Sequence, residues 1–221
     1  MSEKVNKGDF IELEYNGRFN DGKLFDTTDQ ELAKKNDIFS AQIKYGPSII
    51  CVGEKQLVAG LDEALVGKEI GKNYVVELSP EQAFGKKDFK KIVLIPFSEF
   101  QKKKLNPQPG LQIDMDGEVG TIIKSSGGRV MVNFNHPFAG REVNYEVKIN
   151  KRIDDQAMQI SSFLELTLNF PKIKAEVKEG KAEITLPVEL PEQLLKPLSE
   201  KLKGLVKLEI VFIAERNTPK Q

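Results

Sequence analysis

The chain has 221 residues, enough for two or three small domains rather than one. Lys+Arg and Asp+Glu are both 33, so no net field draws the chain to nucleic acid or to an anionic membrane, and no apolar run reaches the length of a membrane span. One histidine (His136) and one cysteine (Cys51) leave no disulfide framework and no His- or Cys-rich metal site, and no phosphate loop is present, so neither metal nor cofactor is expected.

Met1 to Asp9 carries no apolar h-region, and with a single cysteine the expected setting is a reducing cytoplasm. Residues 8 to 28 read as a hairpin: a strand ending near Tyr15, a turn through Asn20-Asp21-Gly22, and a return that delivers Phe25 and Asp26. Thr28-Asp29-Gln30-Glu31 has the form of a capping box and predicts a short helix with Thr28 as its cap. Tyr45 to Gly53 is an apolar strand opened by Gly-Pro. Leu57, Leu61 and Leu65 recur every fourth residue over Gln56 to Val66, which predicts an amphipathic helix closed by Gly67. Gly71 to Leu78 alternates like a strand, and Ser79-Pro80 opens a turn or short helix that carries Ala83-Phe84-Gly85.

From Asp88 to about Phe134 the character changes to short apolar strands punctuated by Pro96, Pro107 and Pro109. Ile92 to Ile95, Leu111 to Met115, Val119 to Ile123 and Arg129 to Phe134 are its strand candidates, a small β-rich module closed by Asn135-His136-Pro137-Phe138-Ala139-Gly140. Lys102 to Lys104 reads as a solvated face. Glu142 to Ile149 alternates as one more strand. Beyond it, Gln156 to Leu168 suits a helix, and two alternating strands flank Glu179-Gly180. A helix from Pro191 should be kinked or delayed by Pro197, and Leu205 to Ala214 reads as an apolar strand. This α-β-β-α-β segment is small enough that packing on a partner subunit is plausible.

Three stretches carry a family resemblance. Tyr15-x-Gly17 followed by Asp21-Gly22-x-x-Phe25-Asp26 resembles the opening of an FKBP-type peptidyl-prolyl isomerase; Leu57, Val58, Gly60 and Leu61 match the helix that floors its pocket, and Ala83-Phe84-Gly85 its Ala-Tyr-Gly motif. The turn at 135–140 is similar to that of SlyD-type members, which carry a chaperone domain inserted in the flap, and the whole resembles longer archaeal members with a C-terminal extension. The resemblance implies an α+β fold: an FKBP half-barrel, an antiparallel sheet around a short helix, over residues 1–87 and 136–153. An insert-in-flap chaperone domain then covers 88–135, and a C-terminal α/β domain covers 154–221, where homodimerisation is expected.

The reaction implied is rotation about X-Pro bonds of unfolded or flexible polypeptides. Its barrier of roughly 18–20 kcal/mol comes from amide resonance, and no bond is made or cut. Catalysis therefore needs an apolar cup that desolvates the prolyl amide and a group that holds the twisted geometry, not a nucleophile. By resemblance Tyr15, Phe25, Asp26, Phe84 and Tyr145 are the catalytic set, with Tyr15 donating to Asp26, and Ile50, Leu57, Val58, Leu61 and Ala83 bind substrate. Strand phase leaves open whether Ile49 or Ile50 faces the cup. Leu61 stands where Trp is common and Phe84 where Tyr is usual; losing that hydroxyl removes a hydrogen bond worth roughly 0.5–1.5 kcal/mol. Taken singly, alternating Phe and Leu residues are core and Asp26 is a turn cap. The competing reading is a holdase chaperone with a weak or vestigial isomerase site.

Overall fold

In a computed structural model describing residues 3–188 and 190–214, the elements run as follows. First come β1 (Phe10–Phe19), β2 (Leu24–Thr27), α1 (Gln30–Lys35), β3 (Ser48–Cys51), α2 (Ala59–Leu65) and β4 (Asn73–Leu78). Next are β5 (Ile92–Pro96), α3 (Phe97–Lys102), β6 (Gln112–Met115), β7 (Glu118–Ser126) and β8 (Arg129–Asn133). Last are β9 (Val143–Arg152), α4 (Gln156–Leu168), β10 (Lys174–Lys178), β11 (Lys181–Leu186), α5 (Glu192–Val206) and β12 (Glu209–Ala214). They form two units, one running from the N-terminus to Leu78 and again from Val143 onward, the other covering Ser79–Glu142.

The Asp21-Gly22 signal folds as a hairpin, with Gly22 at φ +83°. β1 runs past Tyr15 to Phe19, because its second half has partners on both sides, β2 and β9. The resulting antiparallel sheet has the order β2-β1-β9-β4, and β3 lies beside the first half of β1. Alternation puts Ile11 and Leu13 of β1 and Tyr145, Val147 and Ile149 of β9 on a buried face, with charged neighbours such as Glu12 and Glu14 turned outward. α2 packs on β4 with Leu61 and Leu65 buried. It starts at Ala59, so Leu57 and Val58 belong to the segment that enters it.

α1 forms where expected but takes a different cap. Asp29 accepts from the Glu31 and Leu32 amides at 2.8 and 3.0 Å, because the Thr28 hydroxyl is already engaged with β1.

The C-terminal segment builds a three-stranded sheet, β10-β11-β12, in which β11 and β12 are parallel and joined through α5. α5 is not delayed by Pro197: it starts at Glu192, runs through the proline and takes in Leu205 and Val206, so β12 begins only at Glu209. The core beneath these elements includes Ile160, Phe163, Leu164, Ile184 and Leu202, and also Phe10 of β1 and Cys51 of β3. The segment after residue 153 therefore shares a core with the first sheet and α4 lies on β3.

In the second unit the strands pair in the order β5-β8-β7-β6 over a core of Phe100, Ile113, Ile122, Val130 and Val132. Gly120 is required by close approach: a Cβ there would meet Val132 at 2.6 Å and the Phe134 ring at 2.7 Å. The helix α3, which supplies Phe100, is one the sequence pattern does not mark; of the lysines read as a solvated face only Lys102 belongs to it, and Lys102 to Lys104 are all exposed. Asn135 closes the base of the unit by accepting from the Asp88 amide and donating to the Asp88 carbonyl, both at 2.8 Å.

Candidate active site

Tyr15 is fixed by Thr28. The Thr28 hydroxyl accepts from the Tyr15 amide at 3.0 Å and donates to its carbonyl at 3.3 Å, while the Thr28 amide donates to the same carbonyl at 3.0 Å. Across the hairpin Asp26 is opposite Gly17, so its side chain stands on the same sheet face as Tyr15, near enough that the phenol and the carboxyl shift one another's ionisation. Gly17 has no side chain to fill that face. A Cβ on it would come within 2.9 Å of both the Phe25 and the Tyr145 rings, so the glycine lets both rings lie against β1. Phe25 meets Tyr145 nearly edge-on, centroids 5.7 Å apart, and Tyr15 meets Tyr145 at 5.9 Å. Phe19 stands behind Phe25 at 4.5 Å.

Burial raises the Asp26 carboxyl above the ordinary aspartate value, although the Tyr15 hydroxyl and the Thr27 amide hydrogen-bonded to it pull the other way. The Tyr15 phenol is pushed up by burial, then by the Asp26 charge and its hydrogen bond to it. Tyr145 is pushed up by burial, then by Asp26 and Tyr15. Both phenols therefore stay protonated at neutral pH. The site is a wall of rings with one acid at its edge and no activated nucleophile, suited to desolvating a neutral amide rather than to cleaving it.

Ile50 lies directly opposite Ile11 on the Tyr15 face, and Ile49 lies opposite Glu12 on the other, where it packs against the core shared with α4. Register puts Ile50 on the Tyr15 face of the sheet, while it is Ile49 that borders the cavity next to Tyr15 and Asp26. Ile50, Leu61 and Tyr145 are each only 1% exposed, so they present almost no surface of their own to solvent. Leu57 and Val58 are half-buried in the segment before α2. That segment is pinned at both ends. Asp62 accepts from the Gly53 and Lys55 amides at 2.8 and 2.9 Å. The Gln56 side chain accepts from the Cys51 amide at 2.8 Å and donates to the Phe163 carbonyl of α4 at 3.3 Å.

Ala83 and Phe84 belong to the second unit. Ser79-Pro80 forms a turn, not a helix: the Ala83 amide donates to the Ser79 carbonyl at 3.1 Å and the Gly85 amide to the Pro80 carbonyl at 2.6 Å. The Phe84 ring stacks on His136, centroids 4.8 Å apart and nearly parallel, and meets Phe138 edge-on at 5.2 Å. His136 also accepts from the Phe138 amide at 3.1 Å, which ties the turn together.

Sequence reasoning missed Thr28 and the wall contributed by the C-terminal segment. Tyr15 and Asp26 line a cavity of 560 Å³ together with the loop at 42–47, including Ile43, with Ile49 of β3, and with Glu165, Leu166 and Phe170 at the end of α4. The Tyr15-x-Gly17 spacing signals the glycine, but nothing local marks Leu166 or Phe170, which reach the cavity only through the packing of α4 on β3. A further cavity of 460 Å³ lies on the opposite sheet face, among Glu14, Asn16, Glu146 and Lys148, and of the candidate residues only Tyr15 borders it.

Two family models match the chain, that of the FKBP-type peptidyl-prolyl cis-trans isomerase over residues 1–99 and that of the FKBP26, IF domain over residues 93–138. The chain is 34% identical over 149 residues to a short-type peptidyl-prolyl cis-trans isomerase of Methanocaldococcus jannaschii, covering 67% of this chain and 94% of that protein. It is 29% identical over 150 residues to the FKBP-type peptidyl-prolyl cis-trans isomerase SlyD of Haemophilus influenzae, covering 66% of this chain and 71% of that one. Against the FKBP-type 16 kDa peptidyl-prolyl cis-trans isomerase of Escherichia coli the identity is 27% over 154 residues, 67% of this chain and 94% of that one.

Proposed function

The chain belongs to the FKBP-type peptidyl-prolyl cis-trans isomerase family and is an isomerase of the SlyD-like kind with an insert in the flap; from that premise we propose that it rotates X-Pro bonds of unfolded or flexible polypeptides in the cup of Tyr15, Phe25, Asp26 and Tyr145, and holds such chains through its second unit. The observation that carries the first half is the placement of Asp26 on the same sheet face as Tyr15, beside the mutually packed Tyr15, Phe25 and Tyr145 rings. In this reading the rings desolvate the prolyl amide, and the Tyr15–Asp26 pair keeps a fixed dipole beside it as resonance is broken. Ile50 and Leu61 support the floor, and Leu57 and Val58 line the rim. The test is the cis/trans exchange rate of a short X-Pro peptide, followed by NMR with and without the chain. Acceleration that is lost in Asp26→Ala supports the reading; an unchanged rate in the variant overturns the role of the acid.

The holding activity is favoured by apolar side chains that the second unit leaves exposed, among them Phe89 at 78% and Val119 at 61%. A segment gripped there raises the local concentration of its prolines at the cup. Homodimerisation through the C-terminal segment is the remaining part of the proposal, supported by exposed Val211 and Ile213 on β12. Among the described residues no helix is long and apolar enough to cross a membrane.

A further inference from the structure

The 560 Å³ cavity beside Tyr15 and Asp26 falls inside the range of about 300–1,000 Å³ that ligand sites occupy. Its walls come from two places far apart in sequence. One is the loop leading into β3, with Ile43, together with Ile49 of β3 itself; the other is the end of α4, with Leu166 and Phe170. The walls are tied together: Lys44 of the loop donates to Glu165 of α4 at 3.0 Å, and the second Glu165 oxygen accepts from the Lys172 amide at 2.9 Å. Within the cavity Ile43 is 55% exposed and Leu166 45%, apolar surface that the fold itself does not bury. The Gly46 amide donates to the Thr28 carbonyl at 2.8 Å, so the loop is also fixed to the residue that holds Tyr15.

We infer that this cavity is a subsite of the isomerase, in which α4 and the 42–47 loop bind an apolar side chain of the substrate polypeptide lying along the chain from its proline. The inference rests on the proposed cup, since Tyr15 and Asp26 are what the two surfaces share. An extended substrate whose prolyl bond is at Asp26 has its neighbouring residues within reach of Ile43 and Leu166, and burying them supplies binding that a bare X-Pro unit cannot obtain. The C-terminal segment thereby sets substrate preference: chains with an apolar residue near the proline, long enough to span both surfaces, are the favoured class.

The test uses the full chain and two X-Pro peptides, one limited to the proline and its immediate neighbours and one extended on both sides with apolar residues. The expected result is a higher kcat/KM for the extended peptide. The ratio of the two values should fall roughly tenfold in Ile43→Ala/Leu166→Ala, through KM rather than kcat. Both side chains are exposed, so the variant should fold. Leu166→Trp supplies a second readout, because the chain contains no other tryptophan: its emission should shift with the extended peptide and not with the short one. An unchanged ratio together with an unmoved emission overturns the subsite. If the parent chain accelerates neither peptide, it is the isomerase cup that fails, a separate outcome.

Discussion

At the scale of single residues the site turns on a conflict at Asp26. Its carboxyl is raised by burial against the pull of the Tyr15 hydroxyl and the Thr27 amide, so the folded protein holds its proton more tightly than the unfolded chain does. The folded state then binds more protons between the ordinary aspartate value and the raised one. Stability falls as pH rises through that window, and the full cost is present above it. Asp26→Asn removes the ionisation while keeping an acceptor for Tyr15, and should raise Tm at neutral pH with a gain that vanishes below the window; thermal scans against pH check this. In Asp26→Ala the exchange rate should fall roughly ten- to hundredfold, matching the loss of about 1.5–3 kcal/mol for a hydrogen bond to a charged group. Gly17 is the second sensitive position. Gly17→Ala puts a methyl group within 2.9 Å of the Phe25 and Tyr145 rings and should cost about 1–3 kcal/mol by urea unfolding, with a parallel loss of activity. Cys51, fully buried and with its thiol pushed up to about 12, should react with a thiol reagent only after unfolding, which makes it a reporter of that transition.

At the scale of elements, β1 and β3 each serve two cores. Ile11 and Ile50 face the Tyr15 side of the sheet, whereas Phe10, Cys51 and Ile49 face α4 and the C-terminal sheet. A chain ending at 153 would uncover that second face. It should show a lower Tm than the full chain and associate with increasing concentration, and differential scanning calorimetry with light scattering reads both. The same packing explains how the segment before α2 is held: Gln56 bridges Cys51 and the Phe163 carbonyl, so removal of α4 also loosens Leu57 and Val58. The Lys201–Glu54 ion pair adds a further tie from α5 to this segment, with a modest contribution because Lys201 is half-exposed.

At the scale of the whole molecule the two proposed activities separate along the chain. Replacing 88–134 by a short loop should leave exchange on a small X-Pro peptide measurable while suppressing protection of an aggregating client, scored by turbidity. Charging the exposed face of β12 by Val211→Lys/Ile213→Lys should convert a dimer to a monomer in light scattering, without touching the buried Ile210. An unchanged mass would remove the C-terminal segment from the assembly.

What the sequence determined by itself was everything that depends on local chemistry and short periods. Asp21-Gly22 marked the hairpin, the alternation over 142–149 marked β9, the apolar spacing of 156–168 marked α4, and Tyr15-x-Gly17 with Phe25-Asp26 marked the acid, the phenol and the rings that meet. Periodicity can show which residues share a face, but not what that face meets. Thr28 left its expected cap because β1 claimed its hydroxyl, and Ile50 rather than Ile49 took the Tyr15 face of the sheet because register, not composition, sets the side. Leu166 and Phe170 reached the cavity beside Asp26 only because α4 docks on β3, a contact between residues far apart in the chain that no local pattern encodes.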